Sequence, residues 1–253
     1  MAEIKAIFFD QDGVIIDTER DGHRVAFNKT FKEFGYDFEW DVEKYHELLQ
    51  VGGGKERMKH YLQTEGFGVE IPPDEVDDLI KQMHKKKTET FIELIEGGAL
   101  PLRPGIKRFM KEGMDAGLTL GVCTTSNVRA AQAIAYNVLK DITFEFVLAG
   151  DMVSKKKPDP EIYNMALEKA GLRPDQCLVI EDSRNGILAA KEAGLYVVAT
   201  SNYYTQREDL SDADIVVTCL GDPDGERGEL KKGGEGLAYD GVLHVSQLIH
   251  YFK

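Results

Sequence analysis

Short apolar runs separated by helix-like segments are the feature that most constrains the fold of this chain. Such runs recur at residues 6–9, 118–123, 144–148, 177–180, 196–199 and 215–217. This alternation is typical of buried strands joined by crossover helices. It predicts an α/β protein with a doubly wound parallel sheet, whose ligands bind outside the carboxyl ends of the strands. Beyond these runs, the glycine-rich residues 221–239 predict a surface loop, and residues 242–252 predict a terminal helix.

The stretch between the first two runs is too long for a crossover connection. Residues 21–99 contain no comparable run, and they predict helices at residues 24–33, 41–49, 55–64 and 73–96. We therefore predict a core domain of residues 1–18 and 100–253, interrupted by an all-helical domain over residues 19–99. Because two connections at one edge form a natural hinge, we expect the helical domain to act as a cap over the strand ends.

Composition argues against several classes of partner. The 253 residues carry 31 Lys and Arg against 44 Asp and Glu, a formal net charge of −13, so we expect no nucleic-acid partner. No stretch approaches the ~20 apolar residues needed to cross a bilayer, and the first run begins so early that we expect neither a signal peptide nor a membrane partner. The three widely spaced cysteines indicate free thiols in a reducing compartment. We expect a cytoplasmic monomer.

The segment Asp10-Gln11-Asp12-Gly13-Val14 follows the first run and carries the strongest chemical signal. Because side chains alternate along a strand, Asp10 and Asp12 are expected on the same side, and Gly13 lets the chain turn away. Two neighbouring carboxylates repel each other unless a cation or a proton-transfer role stabilises them. The alternative is an ordinary turn, in which Asp and Gly are both common.

Three more runs are followed by polar residues. After the second run comes Thr124-Thr125-Ser126-Asn127, whose hydroxyls suit phosphoryl oxygens, although Ser126 or Asn127 could simply cap a helix. Lys155-Lys156-Lys157 follows the third run, and it is either a solvated face or the source of one phosphate-facing lysine. The fourth run ends in Glu181-Asp182, whose alternative role is to complement the dipole of the next helix.

Together and in this order, the four segments resemble the haloacid dehalogenase superfamily of aspartate-nucleophile phosphotransferases. The resemblance covers a Rossmann-like core and a helical cap inserted between the first strand and the second motif. It implies that Asp10 attacks phosphorus and carries an aspartyl-phosphate, while Asp12 acts as general acid and base. It also implies that Thr124 holds the phosphoryl group and that Lys157 links this group to Asp10. Mg²⁺ would be bound by Asp10, the backbone carbonyl of Asp12, Asp182 and, directly or through water, Glu181. Thr125, Ser126 and Asn127 are further candidates for substrate binding.

The predicted cap is most similar to the CbbY-type group, phosphatases of xylulose-1,5-bisphosphate, and next to β-phosphoglucomutase. The similarity is clearest at Phe27-Asn28, at residues 40–45 and 47–49, and at Gly52-Gly53-Gly54-Lys55-Glu56-Arg57. Glycines before a helix expose N–H groups, so Lys55 and Arg57 are candidates for gripping a distal phosphate. The alternative is a flexible connection before a solvated helix start.

Three further cap residues are candidates for substrate binding. Glu19 suits hydrogen bonds with sugar hydroxyls. His23 could contact Asp12 or substrate, although it lies one residue later after Thr18 than the family pattern has it, and a lone histidine is commonly a packing residue. Lys87, in the basic run 85–87, is the candidate for a second phosphate contact, with a solvated face as the alternative.

These candidates predict a Mg²⁺-dependent phosphatase that hydrolyses a small sugar phosphate or bisphosphate through an aspartyl-phosphate. The alternative is a mutase similar to β-phosphoglucomutase, because the two activities share the first half-reaction and differ in whether water or a sugar hydroxyl attacks the phosphoenzyme. The third hypothesis is a non-catalytic binding module. The intact set of Asp10, Asp12, Lys157 and Asp182 argues against this last hypothesis.

Overall fold

The computed structural model describes residues 3–51, 53–98, 100–126 and 128–253. By the proximity of their Cα atoms, the residues divide into two compact units. Met1–Asp17 and Pro101–Lys253 form the first, the core unit, and Thr18–Leu100 form the second, the helical unit.

The helical unit is built around aromatic side chains. It contains α1 (Arg24–Glu33), α2 (Val42–Leu48), α3 (Gly54–Thr64) and α4 (Val76–Glu96), after a π-helical turn at Thr18–His23. The ring of the fully buried Trp40 lies 4.9 Å from that of Phe27 and 4.7 Å from that of Phe31, centroid to centroid. Asp41 caps α2 by accepting a hydrogen bond from the backbone N–H of Lys44 at 2.7 Å. The helix therefore begins one residue later than the sequence predicts.

The core unit is built on a sheet that has seven strands among the described residues. They are β1 (Ala6–Phe9), β2 (Thr119–Cys123), β3 (Phe146–Leu148), β4 (Cys177–Glu181), β5 (Tyr196–Thr200), β6 (Ile215–Val217) and β7 (Leu230–Lys232). Their order is β3-β2-β1-β4-β5-β6-β7, and all neighbours are parallel except β6 and β7. This order confirms the predicted doubly wound sheet. Because Phe9 is paired with both Val122 and Ile180, the residues after these three emerge side by side at one edge.

Helices pack against this sheet. They are α5 (Ile106–Asp115), α6 (Val128–Ala133), α7 (Glu161–Ala170) and α8 (Arg184–Glu192), and the last helix, α9 (Val245–Tyr251), packs on α5. β1 and β4 are buried along their whole length, as expected for strands with both faces covered. Phe8 and Val179 share one apolar cluster with Ile162 of α7 and Ile187 of α8. No helix in the described part of the chain combines the length and apolarity that a membrane span requires.

Apart from shifts of one or two residues, such as the start of α2, the structure differs from the sequence prediction at three places. Within the predicted surface loop, Leu230–Lys232 forms β7, which pairs antiparallel with β6. Its three residues are exposed, so backbone pairing forms this strand without an apolar pattern that the sequence could reveal. α4 begins three residues later than predicted, because residues 73–75 form a turn. The terminal helix is shorter than predicted at both ends, at Val245–Tyr251.

Candidate active site

A buried lysine joins the ends of three strands in the core unit. The Nζ atom of Lys157 donates to Asp10 Oδ1 and to Glu181 Oε1, both at 2.6 Å, and to the backbone carbonyl of Cys123 at 2.9 Å. The side chain of Lys157 is 6% exposed, whereas that of Lys155 is 74% exposed. Burial would lower the pKa of Lys157, but the carboxylates of Asp10 and Glu181 outweigh it and raise the pKa well above the usual value. Lys157 is therefore a charged, inward-facing member of the triplet.

Glu181 is fully buried, and donors of the protein surround both of its oxygens. Besides Lys157, Oε1 accepts a hydrogen bond from the Tyr163 hydroxyl at 2.8 Å. Oε2 accepts hydrogen bonds from the backbone N–H groups of Asp182 at 3.0 Å and Ser183 at 3.3 Å. Sequence reasoning missed Tyr163, because nothing in the apolar pattern of α7 distinguishes a tyrosine that packs from one whose hydroxyl holds a carboxylate.

Three buried carboxylates lie together beside this lysine. Asp10, Glu181 and Asp182 each offer an oxygen, and these oxygens all lie within 4.8 Å of one another. Burial raises the pKa of Asp10 to about 8 although Lys157 opposes it, and burial raises the pKa of Asp182 well above its usual value. One lysine cannot balance three ionised carboxylates, so the raised pKa values favour the protonated forms of Asp10 and Asp182, and a divalent cation would stabilise their ionised forms instead. Oxygen donors of this kind fit Mg²⁺.

Asp12 is half-buried and faces two hydroxyl groups. The hydroxyls of Thr124 and Ser126 donate to Asp12 Oδ2 at 3.1 and 2.5 Å. Ser126 also donates its backbone N–H to Thr124 Oγ1 at 3.1 Å. Thr125 is half-buried, and its backbone carbonyl accepts a hydrogen bond from the exposed Lys156. Asn127 lies outside the described residues.

The carboxylate of Asp182 has a neighbour that the sequence analysis did not identify. The side-chain amide of Asn202 donates to Asp182 Oδ2 at 2.7 Å. Asn202 lies two residues beyond the end of β5, at the same edge of the sheet as the other site residues. The only sequence signal is a polar residue just after an apolar run, and such residues are common in turns.

In the helical unit, a tyrosine connects two of the predicted binding residues. The Tyr45 hydroxyl donates to Glu19 Oε2 at 2.6 Å and accepts from Arg57 Nη1 at 3.0 Å. Arg57 is 8% exposed and also donates to the backbone carbonyl of Leu48 at 3.0 Å. Lys55, two residues before Arg57 in α3, is exposed. Gly52, in the motif before α3, lies outside the described residues.

The other two predicted binding residues of the helical unit lie side by side. Lys87 Nζ is 2.8 Å from His23 Nδ1, and it lies over the rings of Phe27 and Phe91 at 4.7 and 5.2 Å. Lys87 is 7% exposed, so it does not belong to a solvated face. Burial lowers the pKa of Lys87 to about 8 and the pKa of His23 well below its usual value. A neutral His23 can therefore accept a hydrogen bond from the ammonium group.

Comparison with known proteins tests the resemblance. A family model described as haloacid dehalogenase-like hydrolase matches residues 4–194. The chain is 47% identical to the CBBY-like protein of Arabidopsis thaliana, over 89% of this chain and 72% of that protein. A crystal structure of a CbbY variant from Rhodobacter sphaeroides in complex with xylulose-(1,5)bisphosphate is 38% identical, with a TM-score of 0.65, over 85% of this chain and 94% of that chain. The β-phosphoglucomutase of Bacillus subtilis is 27% identical, over 87% of this chain and 91% of that protein.

These matches support an enzyme that hydrolyses phosphoric monoesters. The chain belongs to the haloacid dehalogenase-like hydrolase family, which confirms the resemblance inferred from its motifs.

Proposed function

We propose that this enzyme is a Mg²⁺-dependent phosphatase that hydrolyses a small sugar phosphate or bisphosphate, similar to xylulose-1,5-bisphosphate, through an aspartyl-phosphate on Asp10. The observation that carries the proposal is the buried Asp10–Lys157–Glu181 chain with both ion pairs at 2.6 Å, beside Asp182. A carboxylate oxygen held against an ammonium group can approach a phosphate dianion with reduced repulsion. The identity to the CbbY variant crystallised with xylulose-(1,5)bisphosphate supports the substrate class.

In the first half-reaction, an oxygen of Asp10 forms a bond to phosphorus as the ester bond to the sugar oxygen breaks. Asp12 gives its proton to that leaving oxygen. In the second half-reaction, Asp12 takes a proton from water as the water oxygen bonds to phosphorus, and the bond from phosphorus to Asp10 breaks. Inorganic phosphate leaves and both carboxyl groups return to their starting states. General acid and base catalysis of this kind contributes about 10² to 10⁴ in rate.

The remaining core residues have supporting roles in this proposal. Asp10, Asp182 and the backbone carbonyl of Asp12 would hold Mg²⁺, which supplies positive charge to the phosphoryl oxygens when it is bound. Thr124 orients Asp12 and would contact the phosphoryl group. We assign Glu181 to Lys157 rather than to the metal, because donors of the protein already occupy both of its oxygens.

We propose that the helical unit selects the sugar. Glu19, Arg57, His23 and Lys87 are its candidates, because all four make side-chain hydrogen bonds and two of them, Arg57 and Lys87, are buried. The greater identity to CbbY-type proteins than to the β-phosphoglucomutase favours transfer of the phosphoryl group to water over its return to a sugar.

The cytoplasmic location stays a prediction.

A phosphate-release assay on xylulose 1,5-bisphosphate, with Mg²⁺ and with chelator, tests the proposal. We expect Mg²⁺-dependent release, and we expect Asp10→Asn to lower it by about 10³-fold or more. Asp175→Asn is the matched control, because that carboxylate is exposed in the turn before β4. Near-normal activity of Asp10→Asn would contradict the nucleophile assignment. Conversion of β-glucose 1-phosphate to glucose 6-phosphate without phosphate release would favour the mutase.

A further inference from the structure

Asn202 holds the carboxylate of Asp182 from the side of β5. Its amide Nδ2 donates to Asp182 Oδ2 at 2.7 Å, and Asp182 is 6% exposed. Nδ2 is also 2.8 Å from the position that a Cβ atom would take at Gly13, and Asp182 Oδ2 is 2.1 Å from the same position. The two side chains therefore pack into space that exists only because residue 13 is a glycine.

The orientation of the Asn202 amide follows from its other contacts. Its Oδ1 accepts hydrogen bonds from the backbone N–H groups of Tyr204 at 2.9 Å and Thr205 at 3.0 Å. Its own backbone N–H donates to Thr205 Oγ1 at 3.1 Å. Only an oxygen can accept from the two N–H groups, so the NH₂ group must face Asp182.

The segment that carries Asn202 is itself anchored by Arg103. The guanidinium donates to the backbone carbonyls of Thr200 at 3.0 Å, Ser201 at 2.8 Å and Thr218 at 2.8 Å, and to that of Gly13. One half-buried side chain thus joins the ends of β5 and β6 to the turn after β1. This bonding leaves Asn202 little freedom to move away from Asp182.

We infer that Asn202 is a positioning residue, which orients the Asp182 carboxylate before a divalent cation binds; the inference rests on the proposed function, in which Asp182 is a Mg²⁺ ligand. A carboxylate that is already hydrogen-bonded in one orientation loses less freedom when the ion arrives. Loss of such an outer partner typically weakens metal affinity by about 10- to 100-fold.

Calorimetric titration of chelator-treated protein with Mg²⁺ alone tests this inference without any activity measurement. The main variant is Asn202→Ser, because a serine hydroxyl can still accept from the backbone N–H groups of the turn but is too short to reach Asp182. Asn202→Ala removes both contacts. We expect the Mg²⁺ Kd to rise by about 10-fold or more in both variants.

Two further variants separate the explanations. Thr205→Ala removes the hydroxyl that accepts from the Asn202 N–H and leaves the contact with Asp182 in place, so we expect its Kd to stay within about threefold of wild type. An equal rise of the Mg²⁺ Kd in Thr205→Ala and Asn202→Ser would overturn the inference, because disturbance of the turn alone would then explain the weaker binding. Asp182→Asn should lose most Mg²⁺ binding. If Asp182→Asn loses Mg²⁺ binding while Asn202→Ser binds Mg²⁺ like wild type, the inference is wrong and the proposed function stands. If Asp182→Asn binds Mg²⁺ like wild type, the metal site of the proposed function is wrong, and the inference fails with it.

Discussion

At the level of single residues, charge balance determines what the site can do. Lys157 is the cation between Asp10 and Glu181, and its side chain is almost fully buried. Taking three charges out of water is costly unless each has close partners, and here the 2.6 Å pairs and the Tyr163 hydroxyl supply them. The exposed Lys155 contributes no comparable contact.

We predict that Lys157→Met lowers the unfolding free energy of chelator-treated protein by about 3–5 kcal/mol, because two buried carboxylates lose their charged partner. Phosphate release should fall by about 10²-fold or more, because the nucleophile then meets its substrate without compensating charge. Lys155→Met is the control, and its unfolding free energy should change by about 0.5 kcal/mol or less. Urea denaturation measures the unfolding free energy of both variants. Equal losses of unfolding free energy in the two variants would show that Lys157 has no special role.

At the level of secondary structure, the junction between β4 and α8 places two carboxylates at the site. Ser183 caps α8 by accepting a hydrogen bond from the backbone N–H of Gly186 at 3.2 Å. A Cβ atom at Gly186 would lie 1.9 Å from Glu181 Oε1. The glycine in the first turn therefore allows the Glu181 carboxylate to lie against the helix, where backbone N–H groups favour negative charge.

We predict that Gly186→Ala destabilises the enzyme by about 1–3 kcal/mol through overpacking. In an ordinary helix, Gly→Ala stabilises by about 0.5–1 kcal/mol. A loss of stability at position 186 would therefore indicate that the added Cβ atom collides with Glu181. Asn185→Ala, at an exposed position of the same helix, serves as the control and should change stability by about 0.5 kcal/mol or less. The measurement is urea denaturation together with phosphate release. A Gly186→Ala enzyme of increased stability and full activity would refute this account of Glu181.

At the level of the whole molecule, the site joins segments that are far apart in the chain. The core unit leaves off at Asp17 and resumes at Pro101, and Asp10 lies on one side of this interruption while Lys157 and Asp182 lie on the other. Only the folded core unit brings the three carboxylates within 4.8 Å. An ion held by Asp10 and Asp182 of this cluster therefore binds the folded state in preference to the unfolded chain.

We predict that Mg²⁺ raises the thermal unfolding midpoint. At 100 times its Kd, an ion that binds only the folded state adds about 2.7 kcal/mol to the unfolding free energy, which corresponds to roughly 5–10 °C for a chain of this size. Thermal scans with MgCl₂, against NaCl of matched ionic strength, measure the shift. Asp182→Asn should show almost none of it. An equal shift with NaCl would mean that the stabilisation comes from ionic strength.

Most of the secondary structure could be predicted because its signals are local. Residues 6–9, 215–217 and 24–33 have the bounds that their apolar patterns predict, since period and caps depend on residues a few positions apart. The four motifs at strand ends were likewise visible, because polar residues directly follow apolar runs. The strand β7 could not be predicted, because its three exposed residues form a strand only by pairing with β6.

The sequence alone was enough to establish the family, the doubly wound sheet and the core candidates, all of which are encoded by short-range patterns. That the ammonium of Lys157 pairs with Glu181 as well as with Asp10, that Tyr163 completes Glu181, and that Asn202 holds Asp182 emerged from the folded arrangement. These contacts join residues that are 18 to 147 positions apart. Their distances follow from how strands and helices pack, and a local pattern carries no information about distances of that kind.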